Sequence, residues 1–399
     1  MRIAVLTMLD VAGPADPAPR ATLGIAGASV ARQQVALALA LGCERILVLA
    51  APGLPGIDAL EQAAVRGGAK LSPVSGAHGV VGGVTAADEV IVLADGLFAS
   101  TGEAAQMLGG GAVVLTQPIE QGLAAGFERI DLNNAAAGAM RIPGRLVERL
   151  AELPADCDVT SALQRIALQA GVPQHPIPTP GSNGLFWTLV RSEDEAHALE
   201  PQWIRQRTRS EVMKGPGHAL ALAGVRRFGA ALLHGGGAWS VGLGAAALLL
   251  MAAGAGGLGA PRIGFVCAAL AWLAQQAFAL LGRVESDRPS DDGWLAEGSA
   301  IVLDIVLVAL MVWALPVPVG VPLWQRLFAP VMLIGLLRLA RVIVPTRWTG
   351  WLIDRALLAV VLLIADVSGN LAPAIALLAL LLVVLGLAMA GRKARLTGP

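Results

Sequence analysis

Residues 371–390, LAPAIALLALLLVVLGLAMA, are twenty positions without a charge, and Arg392, Lys393 and Arg395 follow. A helix needs about 20 apolar residues to cross the hydrocarbon core of a bilayer. A helix packed on a soluble core carries a polar face, and this stretch has none. It reads as a membrane span, and the rest of the C-terminal half repeats its design. Spans are expected over 238–258, 263–281, 299–315, 323–339, 351–367 and 371–390. The fourth has a short apolar core flanked by Arg326 and Arg338.

The connections set the orientation. Arg226 and Arg227 precede the first span, Arg283 and Arg288 follow the second, and Arg341 and Arg347 follow the fourth. The tail after the sixth is basic again. The opposite connections hold Arg262 alone, with no basic residue in PVPVGVP or SGN. Basic loops stay on the cytoplasmic side, so six spans with both termini cytoplasmic are expected. In a bacterium this is an integral protein of the inner membrane. Composition agrees: 55% of residues are hydrophobic, 15% are charged and the net charge is zero, which argues against a nucleic-acid binder. Cys43, Cys157 and Cys267 are far apart and form no CxxC pair, so neither zinc nor a disulfide framework is expected.

Residues 1–205 have another rhythm. The apolar runs at 3–8, 45–50 (RILVLA) and 90–94 (VIVLA) suit buried strands, with a weaker strand at 70–74 and helices over 28–41 and 58–66. Strands alternating with helices imply an α/β domain with a mostly parallel sheet. Such sheets bind ligands at the carboxyl ends of their strands. The loop around Gly13–Arg20 and Asp95 fall there. Arg20 suits a phosphate, or is a solvated loop arginine. Asp95, with Gly96 beside it to leave room for a phosphate, suits a divalent cation, or is a turn-initiating Asp-Gly. Glu128, Asp131, Asp156 and Asp158 are further acidic candidates, and Asp158 also reads as a helix N-cap. Residues 206–236 form a basic linker and an amphipathic helix suited to the membrane surface and anionic lipid headgroups. Asp304 and Asp366 fall within or at the edge of spans, where carboxylates are expensive. Asp354 and Arg355 are expected at headgroup level. A transporter would need polar residues on several facing spans, and spans one, two and six offer little beyond Gln275 and Gln276.

TLGIAGASVARQQVALALALGCERILVLA, VIVLADGLFAS and FERIDLNNAAAGAMRIPGRLVERL together resemble a sugar-nucleotide-type nucleotidyltransferase over roughly residues 1–190. The resemblance implies a Rossmann-like nucleotidyltransferase fold, Asp95 as a Mg²⁺ ligand, Arg20 on the leaving pyrophosphate, and Glu128 and Asp131 near the sugar or polyol. The first loop departs from the family. LDVAGPADPAPR has one glycine and three prolines, and proline removes the N–H donors a phosphate cradle needs.

The domain order, 1–205, 206–236 and an all-α six-span domain over 237–399, resembles the bifunctional inositol-phosphate cytidylyltransferase and CDP-alcohol phosphotransferase proteins. That resemblance implies a nucleoside triphosphate and a phosphorylated alcohol as substrates, membrane lipids as partners, and is compatible with a homodimer. The metal motif of the membrane half, D-x-x-D-G-x-x-A-R, is only half kept. Asp292, Gly293 and Ala296 remain, Pro289 and Glu297 replace the first aspartate and the arginine, and Asp304 is the one aspartate left downstream. Asp292 and Asp304 are thus incomplete metal candidates, and transfer from a CDP-alcohol is not expected of this half. The two functions compatible with the chain are a membrane-attached nucleotidyltransferase of lipid or polyol-phosphate headgroup metabolism, and a non-catalytic relative acting as nucleotide sensor or scaffold for a lipid-synthesis enzyme.

The topology is open to test by labelling. Cysteines engineered at Pro318 and Gly369 should react with an impermeant reagent from outside. Outside labelling at Ser286 or at the C-terminus would overturn the six-span arrangement.

Overall fold

In the computed structural model the chain forms two compact units, Met1–Trp203 and Ile204–Pro399. The structure describes every residue but 14–17, 155–156, 180–184, 210, 212, 286–292, 317–321, 344–349, 352–353 and 397–399, and the backbone alone at 293–296, 341–343 and 388–396. Asp156 and Asp292 therefore lie outside the described residues.

The first unit is built on strands β1 (Arg2–Met8), β2 (Gly24–Ile25), β3 (Ala28–Ser29), β4 (Arg45–Ala50), β5 (Lys70–Val74), β6 (Glu89–Leu93), β7 (Leu97–Ala99), β8 (Val113–Pro118), β9 (Asn134–Pro143), β10 (Gln174–Pro176) and β11 (Trp187–Leu189). Helices α1 (Val30–Ala40), α2 (Ile57–Arg66), α3 (Gly76–Gly83), α4 (Thr101–Leu108), α5 (Ile119–Ala124), α6 (Val159–Gln169) and α7 (Glu193–Arg207) connect them, α7 running across the boundary between the units. Seven strands form one sheet in the order β10-β8-β9-β6-β1-β4-β5. All its pairings are parallel except those of β9, which runs antiparallel between β6 and β8. The sequence reading expected the parallel part and not this strand, because Asn134–Pro143 is alanine-rich and has Ile142 as its one β-branched residue.

β1 shows why the strands are apolar throughout. Ala4, Leu6 and Met8 face one core with α1, α2 and α4, while Ile3 and Val5 face the other with α3 and α6. A parallel sheet covered on both faces needs continuous apolar runs rather than alternation. The chain order also places a switch in direction. From β1 it proceeds to β4 and β5 on one side, then returns to β6 on the other. Ligand crevices form where the strand order reverses in this way. Here that point lies between the carboxyl ends of β1 and β6.

The second unit is helical: α8 (Pro216–His234), α9 (Gly237–Gly257), α10 (Pro261–Glu285), α11 (Gly293–Ala314), α12 (Leu323–Ile343), α13 (Arg355–Val367) and α14 (Leu371–Leu396). Among the described residues four helices, α9 to α12, are long and apolar enough to cross a membrane. The fifth expected span is shorter than the sequence reading put it. Asp354 caps α13 by accepting the backbone N–H groups of Ala356 (3.0 Å) and Leu357 (3.4 Å), so the helix begins at Arg355 and has 13 residues. In α14 the described apolar portion is Leu371–Leu387.

Charged side chains tie these helices together. Asp304 of α11 is 3% exposed and meets Arg338 of α12 at 2.7 Å and Arg355 of α13 at 3.0 Å. Arg355 also lies over the Trp272 ring at 6.0 Å. Asp366 pairs with Arg262 at 2.9 Å. Asp354 and Arg355 are both buried within this unit, where one caps α13 and the other reaches Asp304. Asp304 therefore has its carboxylate committed to two guanidinium groups. Asp304→Ala should destabilise the purified protein by about 3–5 kcal/mol, the usual cost of leaving a buried charge without its partner. Thermal unfolding in detergent reads this, and an unchanged midpoint would remove the pair from the determinants of the fold.

Candidate functional site

β1 and β6 are parallel neighbours in register, Leu6 beside Leu93, so both chains leave the sheet at the same edge. Leu9 and Asp10 start the loop after β1, and Ala94 and Asp95 start the turn after β6. Asp95 Oδ2 accepts the backbone N–H groups of Leu9 (2.7 Å) and Asp10 (2.8 Å). This fastens the first loop to the β6 turn. Asp95 Oδ1 is buried without a hydrogen-bond partner. Burial is the main influence on the Asp95 carboxyl and pushes its pKa up to about 6, against the two N–H groups, which favour the charged form.

The turn is held from behind. Gln34 of α1 donates through Nε2 to the carbonyls of Ala94 (2.8 Å) and Leu97 (3.0 Å). Gly96 has φ +73°, and a Cβ there would lie 2.7 Å from the Val190 carbonyl oxygen. The room beside Asp95 is thus filled by this chain's own backbone, and the glycine serves the turn rather than a phosphate.

The first loop folds back on itself. Ala12 donates to the Ala18 carbonyl and Arg20 to the Asp10 carbonyl, both at 2.8 Å. Arg20 Nε donates to the Val11 carbonyl (3.1 Å) and Nη1 to Asp10 Oδ2 (3.3 Å). Four backbone N–H groups of the described part of this loop, those of Leu9, Asp10, Ala12 and Arg20, are engaged within the loop or by Asp95. Arg20 remains as the cationic group beside the cavity.

That cavity, of about 400 Å³, is lined by both strand ends, by Gly126–Glu128, and by the start of α6. It brings together Arg20, Asp95, Glu128 and Asp158 of the expected residues. Asp131 is elsewhere. Its carboxylate accepts the N–H groups of Asn133 and Asn134, each at 2.7 Å, and the Asn134 side chain at 3.0 Å. The Asn134 side chain, then these backbone groups, hold its pKa below the ordinary value. Asp304 belongs to the second unit and contacts the two arginines described above.

Sequence reasoning missed Asp10, Thr160, Ser161 and Gln164 in this wall and named Asp158. Asp158 caps α6 as expected, accepting Thr160 N–H at 2.9 Å and Ser161 N–H at 3.3 Å, and it also faces the cavity with Thr160, Ser161 and Gln164. Asp10 was legible as the acidic residue just past an apolar strand. The α6 residues carried no such signal, because only the packing of α6 against the sheet brings them to this edge.

Among the described residues no three His, Cys, Asp or Glu side chains are placed together to hold a metal ion. Mg²⁺ needs fewer, since it takes one or two carboxylates and fills its shell with water and phosphate oxygens. Asp95, with an unpartnered oxygen, and Asp10 beside it fit that pattern. They do not fit a closed zinc site.

No family model and no curated protein matches the sequence. Among solved structures, a UDP-glucose pyrophosphorylase from Acinetobacter baumanii is similar at a TM-score of 0.40 and 13% identity, over 52% of this chain and 94% of that one. The chain is an α/β domain with a mostly parallel sheet, followed by a helical unit with four helices of membrane-spanning length among the described residues.

Asp95 makes stability depend on pH. Its folded-state pKa, about 6, exceeds the ordinary 3.8, so the native state binds this proton more tightly than the unfolded chain. The contribution is fully present below 3.8 and is lost as pH rises through about 6. Asp95→Asn removes the titration. The variant should gain on the parent by up to about 2–3 kcal/mol between pH 4 and 7.5. Denaturation midpoints at the two pH values check this, and a difference that does not change with pH would refute it.

Proposed function

We propose that this chain is a membrane-attached nucleotidyltransferase of headgroup metabolism, which transfers a nucleotidyl group from a nucleoside triphosphate to a phosphorylated alcohol. The observation that carries the reading is the cavity at the β1/β6 switch point, with Arg20, Asp10 and Asp95 at the strand ends. An oxygen of the acceptor phosphate attacks the α-phosphorus, one P–O bond forms, the bond to the β-phosphate bridge breaks, and pyrophosphate leaves. Arg20 neutralises the departing charge. Asp95, with Asp10, would hold Mg²⁺, whose chemistry there is to draw charge from the phosphates. Glu128 faces the acceptor. Asp131 is left with a turn role.

In this reading all six apolar segments span the membrane, with both termini cytoplasmic in a bacterial inner membrane. α8 lies in the headgroup layer. Leu220 and Phe228, 64% and 60% exposed, give it an outward apolar surface next to Arg227. The membrane half anchors the domain and does not itself transfer from a CDP-alcohol.

A second reading is a nucleotide sensor or scaffold for a partner enzyme. The observation that favours it is the first loop, where the backbone N–H groups of Leu9, Asp10, Ala12 and Arg20 are already engaged. Titration of the full chain with each nucleoside triphosphate and Mg²⁺ separates the readings. The enzyme binds one nucleotide and releases pyrophosphate when an acceptor is added; a sensor binds and does not turn over. Binding of none removes the enzyme, counts against the sensor and leaves the scaffold. Asp95→Asn should weaken the nucleotide about tenfold or more, roughly 1.4 kcal/mol. Unchanged affinity would leave Asp95 with the loop alone.

A further inference from the structure

His218 stands in the first turn of α8 and is 5% exposed, yet neither ring nitrogen makes a hydrogen bond among the described residues. Nδ1 is buried without a partner, and Nε2 lies 3.9 Å from Glu211 Oε2, beyond hydrogen-bond reach. Buried polar groups are as a rule paired, and an imidazole left unpaired destabilises the folded state. A charged ring would be worse placed still. Glu211 and Lys214 from the segment before α8, Arg283 of α10 and Asp354 at the head of α13 are the charged groups that act on it. α9, which also packs on α8, carries no charge. Both acids are already engaged. Glu211 pairs with Arg283, and Asp354 accepts the backbone N–H groups of Gly217, Ala356 and Leu357. The helix start adds a dipole that repels a cation. Burial, then Lys214, hold the pKa of His218 below the ordinary 6.5.

The backbone around the ring has no slack. A Cβ at Gly215 would lie 2.6 Å from the Gly350 carbonyl oxygen and 2.7 Å from Asp354 Oδ2, and one at Gly217 would lie 2.6 Å from Asp354 Oδ1. A turn seated this closely cannot shift slightly to let water reach the ring. It is either docked or released, as close-packed contacts are.

We propose that His218 is a proton-operated latch on α8. The neutral ring lets the first turn of α8 dock against α10 and α13. A protonated ring leaves for water and takes the turn with it, breaking the hydrogen bond from Gly217 to Asp354. The released turn binds the proton with the ordinary affinity of a histidine, and the docked turn binds it more weakly. Docking is therefore at full strength above pH 6.5 and weakens as the pH falls below it. Nothing in this latch depends on what the cavity of the first unit binds.

Hydrogen exchange of the full chain in detergent, corrected for the intrinsic rate at each pH, reads the two states. Protection of the Gly217 amide and of the following turn should fall about five- to tenfold between pH 7 and 5.5, starting near 6.5, while α10 keeps its protection. His218→Gln is neutral at every pH and should be equally protected at both values. His218→Phe makes the same point where the glutamine variant is too unstable, and the onset of the fall in the parent is readable without either. Constant protection in the parent overturns the latch. So does a fall that begins only below about pH 5, where carboxylates take up protons, or an equal fall in a neutral variant.

Discussion

The carboxylate of Asp95 and the two backbone N–H groups it accepts, those of Leu9 and Asp10, fix the geometry on which the first unit's cavity depends. A parallel sheet delivers strand ends to one edge but does not say how the loops leaving them are arranged. Here one side chain, placed two residues beyond the end of β6, gathers the loop leaving β1. Gln34 holds the turn from the helix side, and the positive φ of Gly96 lets the chain reverse against the Val190 carbonyl. Because the clamp is buried, its charged form is disfavoured. The arrangement combines positional definition with a carboxyl group whose second oxygen has no partner.

The helical unit solves the same problem in different chemistry. Apolar helices have no strong directional preference for one another, since side chains such as leucine pack comparably on lipid and on helix. Asp304, Arg338 and Arg355 come from three helices, and one carboxylate meeting two guanidinium groups specifies which faces converge. Asp354 does similar work at the head of α13, where it caps the helix and accepts the Gly217 N–H at 2.5 Å. Both acids looked like functional candidates or surface groups by position. Their contacts make them architectural.

Much of the fold was legible because it rests on continuous physical signals. RILVLA and VIVLA are apolar on both faces, as strands between two helical layers must be, and the uncharged segments have membrane length. β9 was not legible. Its alanines are small enough for many settings, and pairing with β6 and β8 alone makes them a strand. The site divided in the same way. Asp95 and Arg20 stand at strand ends that the pattern marks. Asp131 looked equivalent to Glu128 on the same segment, yet one caps a turn and the other faces a cavity, a difference of three residues that no period predicts.

By itself, then, the sequence determined that an α/β domain precedes a helical unit of membrane-length segments, because hydrophobic length and rhythm are local properties of the chain. Only the tertiary structure decided which acids line the cavity and which hold the fold. A carboxylate's role depends on what lies within about 3 Å of its oxygens, and those neighbours come from distant parts of the chain: Leu9 for Asp95, Ser161 for Glu128, Arg355 for Asp304.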